Sequence, residues 1–97
     1  MAQVAKDSEV REWIDDYLDY LFAEWEAIPE VAAEWDEWQD HEQLDFVVEW
    51  PIREDRLREL QQWAEQGLLA PQQQARYERL LALVARQRPT LEKLLRD

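Results

Sequence analysis

This chain of 97 residues has no cysteine and a formal net charge of −12, and its length suits one domain with a modest core. The absence of cysteine excludes a disulfide framework and a thiolate site, and it fits a cytoplasmic location. No apolar run reaches the length of a membrane span, and residues 1–25 lack the pattern of a signal peptide. We therefore expect no membrane contact.

The charge is divided unevenly between the two halves of the chain. Residues 1–50 hold sixteen acidic and two basic residues, a net charge of −14, whereas residues 51–97 hold seven acidic and nine basic residues, a net charge of +2. Direct nucleic-acid binding is disfavoured, because phosphate contacts need a basic face. Two interpretations remain, a solvated acidic surface and an acidic face for a basic protein partner.

The first predicted helix has the clearest periodicity in the chain. Residues 1–7 show no pattern and are expected to fray, and Ser8 is a suitable N-cap. Pro29 is expected to end the helix. Apolar residues at three- and four-residue spacing then predict a buried stripe of Val10, Trp13, Ile14, Tyr17, Leu18, Leu21, Trp25 and Ile28. Carboxylates occupy the opposite, exposed face, and they include Glu12, Asp16 and Asp19.

The next segment contains a break in the apolar pattern. Val31, Trp35 and Trp38 share one helix face, but the continuation of that face does not meet the apolar residues that follow. We predict a short helix over residues 30–39, a bend over 40–43 and a second short helix over 44–49. The alternative is one continuous helix with two apolar faces that lies between two neighbours.

Proline and glycine mark the boundaries of the second half. Trp50–Pro51 predicts a boundary before a third helix over residues 52–66, and Gly67 is its expected C-terminal stop. Pro71 is expected to open a fourth helix, which Pro89 ends or kinks, and Thr90 is a candidate cap for a last turn. The predicted fold is a single all-α domain over residues 1–97, a compact bundle of about four antiparallel helices with the second broken near residues 40–43.

Nucleophilic catalysis is disfavoured by the available side chains. Ser8 and Thr90 are the only small hydroxyl residues, both are explained as caps, and His41 is the only histidine. Glu37, His41 and Asp45 have the i, i+4, i+8 spacing of a metal site on an unbroken helix, although the predicted bend interrupts that alignment. We therefore expect no metal, cofactor or catalytic residue.

One pattern nevertheless resembles an enzyme family. The pair Glu9 and Glu12, together with Glu42 and Asp45, is similar to the acid pairs by which all-α nucleotide pyrophosphohydrolases of the MazG and dUTPase-like group hold magnesium, and the pair Glu34 and Glu37 is similar to them too. The resemblance implies magnesium-dependent hydrolysis of nucleotides as the alternative function. The span between the pairs is longer than in that family, and no Lys or Arg occurs between Glu12 and Ile52.

The function that we expect from the sequence is non-enzymatic binding of a basic protein through the acidic N-terminal half, in an antitoxin-, inhibitor- or adaptor-like role. Six tryptophans are a large aromatic load for a small bundle, and aromatic residues are enriched in interfaces. The aromatic load and the charge division also favour a two-fold homodimer. The predicted partner-binding residues are Glu12, Asp16, Asp19, Asp36, Glu37, Trp38, Asp40 and Trp50.

Overall fold

The computed structural model describes the backbone of residues 2–96 and the side chains of residues 9–96. Four α-helices and one 3-10 turn follow one another: α1 (Ala2–Glu26), α2 (Ile28–Glu34), the 3-10 turn Trp35–Glu37, α3 (Asp40–Glu65) and α4 (Pro71–Arg96). Residues 2–96 contain no strand, which confirms the all-α prediction. None of the helices in this range has the length and apolar content that crossing a membrane requires.

Helix α1 confirms the core of the predicted apolar stripe. Ile14, Leu18, Leu21 and Trp25 have no exposed surface, because their spacing places them on one face. Trp13 was predicted on the same stripe, but it is 51% exposed at the edge of that face. The helix begins at Ala2, so the prediction of Ser8 as N-cap is wrong.

The beginning of α1 leaves one expectation open. A helical assignment does not measure how often a terminal turn opens. The expected fraying of residues 1–7 therefore stays a prediction, and Met1 lies outside the described residues.

The predicted break after α2 exists, but it lies earlier than expected. Pro29 falls in the first turn of α2, where the missing N–H of proline costs no helical hydrogen bond. After the 3-10 turn the backbone is extended at Trp38 and Gln39, with ψ of 145° and 157°. The backbone N–H of Gln39 then donates to Glu42 Oε1 at 3.1 Å and helps to start α3.

Helix α3 runs without interruption from Asp40 to Glu65, so the predicted bend over 40–43 and the predicted boundary at Trp50–Pro51 are both wrong. Pro51 lies inside the helix, where it cannot donate the hydrogen bond to the carbonyl of residue 47. Phe46 and Trp50 before the proline and Leu60 after it pack into the same core. The burial of these side chains on both sides of Pro51 outweighs the cost of proline inside a helix, which is about 3 kcal/mol in an isolated helix.

The turn between α3 and α4 follows the prediction. Gly67 has a φ of 73°, and the N–H of Leu68 donates to the carbonyl of Trp63 at 3.0 Å, as expected for a glycine-terminated helix. Pro71 opens α4, which continues through Pro89 to Arg96. Thr90 therefore lies inside α4, and its predicted role as a cap is wrong.

Three long helices and one short helix therefore make up the described chain, and the predicted four-helix bundle is not confirmed. The ring pair of Trp25 and Trp50 and the hydrogen bond from Tyr17 to Glu59 show that α3 is antiparallel to α1. Helix α4 runs in the direction of α1, because Gln73, Arg76 and Arg88 contact Arg11, Asp19 and Trp25 in that order. Helix α2 continues along α4 where α1 ends. The molecule measures 53 × 23 × 16 Å, the shape of a short rod.

Candidate interaction surface

Most of the aromatic side chains pack on one another inside the rod. Trp25 contacts Trp50 with ring centroids 5.1 Å apart, Trp50 contacts Phe46 at 5.4 Å, and Phe46 contacts Trp35 at 5.6 Å. Trp38 lies at the outer end of this chain of rings, 5.6 Å from Trp35, and is half-buried. The aromatic load that predicts an interface therefore serves largely as the core of a single chain.

Trp50 is one of the predicted partner-binding residues, and the fold places it in the core. It is 2% exposed, and its indole N–H donates to Glu54 Oε2 at 2.9 Å. A partner cannot reach this ring in the folded chain, so Trp50 is not part of the candidate surface. Trp38 keeps an exposed edge and stays a candidate anchor.

A charged pair lies beside this aromatic core at the middle of the rod. Arg88 donates two hydrogen bonds to the carboxylate of Glu54, at 2.9 and 3.1 Å, and its guanidinium lies 5.0 Å from the ring centre of Trp25. Burial raises the pKa of Glu54, but the hydrogen bonds from Arg88 and Trp50 outweigh it and leave this pKa below its ordinary value. The hydrogen bond to Glu54 raises the pKa of Arg88, so the pair is ionised at neutral pH.

Other arginines of the second half pair with the acidic face of α1. Arg76 Nη2 lies 2.7 Å from Asp19 Oδ1, and Arg53 Nε lies 3.3 Å from Glu24 Oε2. The Arg53 contact lacks hydrogen-bond geometry and acts as a charge contact only. These pairs neutralise part of the negative charge of residues 1–50 with arginines from residues 51–97 of the same chain.

The three predicted partner-binding acids of α1 are all exposed, as their face of the helix requires. Glu12 and Asp16 form no ion pair with any described side chain, whereas Asp19 is held by Arg76. Asp16 lines an open groove between α1 and α3, together with Tyr17, Tyr20, Ile52 and Arg56.

A second group of carboxylates is larger and has no basic neighbours in ion-pair contact. It covers α2, the 3-10 turn and the first half of α3, and we call it the acidic surface. All eight members are exposed, and none forms an ion pair with a described side chain. The acidic surface consists of Glu30, Glu34, Asp36, Glu37, Asp40, Glu42, Asp45 and Glu49.

The fold does not bring together Glu37, His41 and Asp45, the three residues whose spacing is that of a metal site. The break at residues 38–39 separates Glu37 from the helix of His41 and Asp45, so the three side chains do not share a helix face. Among the described side chains, no group of three potential ligands lies close enough to hold a metal ion.

Glu9 and Glu12 lie far along the rod from Glu42 and Asp45, the acid pair with which they carry the enzyme resemblance. Glu12 precedes Trp25 by thirteen residues on α1, while Asp45 lies on the other side of the Trp25–Trp50 contact. At the rise of an α-helix the pairs are roughly 30 Å apart along the rod. One magnesium ion cannot bridge them at this separation.

Helix α3 also exposes apolar side chains beside the acidic surface. Leu44, Val48 and Ile52 are 61%, 65% and 51% exposed, and their i, i+4, i+8 spacing places them in one row on the outer side of the helix. Leu44 and Val48 are apolar residues that follow the predicted break, and the exposed row was not predicted from the sequence. The residue spacing along one continuous helix does indicate it, because this spacing places Phe46, Trp50 and Leu57, which pack in the core, on the face opposite to the row.

No protein-family model, curated protein or solved structure matches this chain.

Proposed function

We propose that this chain is a non-enzymatic interaction module that binds a basic protein partner through the acidic surface. One observation carries the proposal, namely the eight exposed carboxylates that have no ion-pair partner among the described side chains. Arginines elsewhere in the chain engage Asp19, Glu24 and Glu54, so ion pairing is used where the fold requires it. The carboxylates of the acidic surface are therefore available to pair with basic side chains of a partner.

The carboxylates would act mainly on the rate of encounter. Clustered charges of one sign attract an oppositely charged protein over distances beyond contact, and salt screens this attraction over about 8–10 Å. Asp36, Glu37 and Asp40 lie next to Trp38, whose exposed edge would supply apolar contact once the partner has arrived. Glu12 and Asp16 extend the attracting field along α1.

A capture experiment tests this proposal. The basic partner is isolated on immobilised wild-type protein and identified, and its affinity is then measured for Asp36→Asn/Glu37→Gln/Asp40→Asn. A matched control, Asp55→Asn/Glu65→Gln/Glu78→Gln, removes the same number of charges from exposed acids outside the acidic surface. We expect the first variant to bind more weakly than the control, and equal binding by both variants would contradict the proposal.

A two-fold homodimer is a separate proposal. A second copy brings the same eight carboxylates, so contact between two acidic surfaces is disfavoured. The contact that we propose lies at the opposite end, where Trp13 is 51% exposed. Sedimentation equilibrium at tens of micromolar should show a dimer that Trp13→Ala dissociates, and a wild-type monomer would contradict this proposal.

We also predict the absence of nucleotide hydrolysis, because Glu9 and Glu12 lie roughly 30 Å along the rod from Glu42 and Asp45. In addition, no three potential ligands among the described side chains, Glu34 and Glu37 included, lie close enough together to hold a metal ion. Nucleoside triphosphates with magnesium or manganese should show no turnover above the rate without protein. Calorimetric titration that reveals a tight magnesium site, lost in Glu42→Ala/Asp45→Ala, would contradict this prediction.

A further inference from the structure

The exposed row on α3 joins the apolar side chains of two grooves into one band. At its first end, Leu44 lines a groove between α3 and the end of α4, together with Val47 and Leu95. At its other end, Ile52 lines the groove between α3 and α1, together with Tyr20. Val48 connects the two ends and is the most exposed large hydrophobic side chain in the described chain.

The shape of this band fits a helix. The rise from Leu44 to Ile52 is about 12 Å, a little over two turns. Residues at i, i+4 spacing form a ridge that is inclined to the helix axis, and such ridges pack into the grooves of another helix. The band crosses α3 along this inclination, from the α4 side to the α1 side.

The charges around the band favour a basic occupant. Asp45 and Glu49 each follow a residue of the row, so they flank it on one side, about 100° around the helix. Asp40 lies in the first groove and Asp16 in the second, and none of these four carboxylates forms an ion pair with a described side chain.

The arginines at the two ends of the band do not balance these acids. Arg56 lies 3.7 Å from Glu59 and over the ring of Tyr17, and Arg96 lies 3.6 Å from Glu92. A second copy of the chain would bring its own Asp45 and Glu49 to the contact, where like charges would repel.

We propose that this band is the docking site for an amphipathic basic helix of the partner. Its apolar side chains would cover Leu44, Val48 and Ile52, and its lysine or arginine residues would pair with Asp45 and Glu49. This inference rests on the proposed function, since it assigns a place and a shape to the binding of the same basic partner.

The test uses a synthetic amphipathic peptide as the probe. The peptide carries leucine at i, i+4 and i+7 and lysine or arginine on the flanks, and a control peptide of the same composition has its apolar spacing scrambled. Binding is measured by calorimetry for the wild type, for Leu44→Gln/Val48→Gln and for Leu81→Gln. Leu81 is the matched control, because it is 41% exposed on α4 and outside the band.

We expect the amphipathic peptide to bind the wild type and Leu81→Gln equally, and Leu44→Gln/Val48→Gln about tenfold more weakly, the loss expected when apolar contacts at the centre of an interface are removed. The scrambled peptide should bind all three proteins with equal weakness. Unchanged circular dichroism of the variants would show that the fold is intact, which exposed positions allow.

Three results would overturn the inference, and they separate it from the proposed function. In the first result, Leu44→Gln/Val48→Gln binds the amphipathic peptide as tightly as the wild type does, while Asp36→Asn/Glu37→Gln/Asp40→Asn binds the natural partner more weakly than the wild type does. The band is then not the docking site, but the acidic surface still binds the partner. If neither variant is weakened, both proposals fail. If the wild type sediments as a dimer that Leu44→Gln/Val48→Gln dissociates, a second copy occupies the band.

Discussion

Glu54 is the residue whose environment departs most from its sequence context. It is an acidic side chain on a helix rich in acids, yet it accepts hydrogen bonds from Trp50 and Arg88 beside the aromatic core. Its partner Arg88 is 34 residues away in sequence, so no local spacing indicated this pair. The same long-range packing places Trp50 in the core, although the sequence predicted it as a partner-binding residue.

Glu54→Gln should destabilise the fold by about 1–2 kcal/mol at pH 7, because it leaves Arg88 without its counter-charge. This magnitude lies below that for a fully buried pair, since the side chains of Arg88 and Glu54 are 37% and 26% exposed. Urea unfolding of both proteins measures the difference.

The effect of Glu54→Gln should also depend on pH. The pKa of Glu54 is lower in the folded chain than the ordinary value of 4.5, so the stabilisation is fully present above that pH and is lost as the pH falls through the folded pKa. The difference between wild type and Glu54→Gln should therefore narrow below pH 4.5. A difference that stays constant down to pH 2.5 would show that the charge of Glu54 does not contribute.

At the scale of the elements, local signals predicted some boundaries and not others. The stripe of α1 and the stop at Gly67 followed from spacing and backbone preference alone, and both are present. The boundary at Pro51 failed because a proline rule describes only the local cost, whereas Trp50 and Leu60 on either side are buried in one core. Packing of this kind depends on α1 and α4 and is not visible in the sequence of α3.

Pro51→Ala should raise the free energy of unfolding by about 1–2 kcal/mol. Alanine restores the backbone hydrogen bond to residue 47 and removes the helical penalty of about 3 kcal/mol, part of which is offset by a more flexible unfolded chain. Pro29→Ala is the control, since Pro29 lies in the first turn of α2 and should yield no such gain. Equal or lower stability of Pro51→Ala would indicate that α3 is interrupted at Trp50–Pro51.

Gly67→Ala should lower the free energy of unfolding by about 1 kcal/mol, because alanine is strained at a φ of 73°. A Cβ atom at this position would meet nothing within 4 Å, so the loss comes from the backbone conformation and not from a clash. Gly67→Asn should lose less, since asparagine tolerates this region better. Equal losses for the two substitutions in urea unfolding would contradict this explanation.

At the scale of the whole molecule, the charge division of the sequence is only partly kept in the fold. Arg53 and Arg76 pair with carboxylates of α1 and so join the two halves, whereas Arg88 pairs with Glu54 within the second half. The eight carboxylates of the acidic surface form no ion pair with a described side chain, and three of them, Asp40, Asp45 and Glu49, lie beside the exposed apolar band. The sequence indicated the excess of acids, but only the fold separates those that are paired from those that are free of ion pairs among the described side chains.

The most direct test of the interaction module is the salt dependence of its association rate with the captured basic partner. Stopped-flow association is measured from low to high ionic strength for the wild type, for Asp36→Asn/Glu37→Gln/Asp40→Asn and for the matched control Asp55→Asn/Glu65→Gln/Glu78→Gln. Removal of three charges from the acidic surface should slow association at low salt and flatten its decline with salt, while the control stays close to the wild type. Identical rates and identical salt slopes for all three proteins would show that the acidic surface is only solvated.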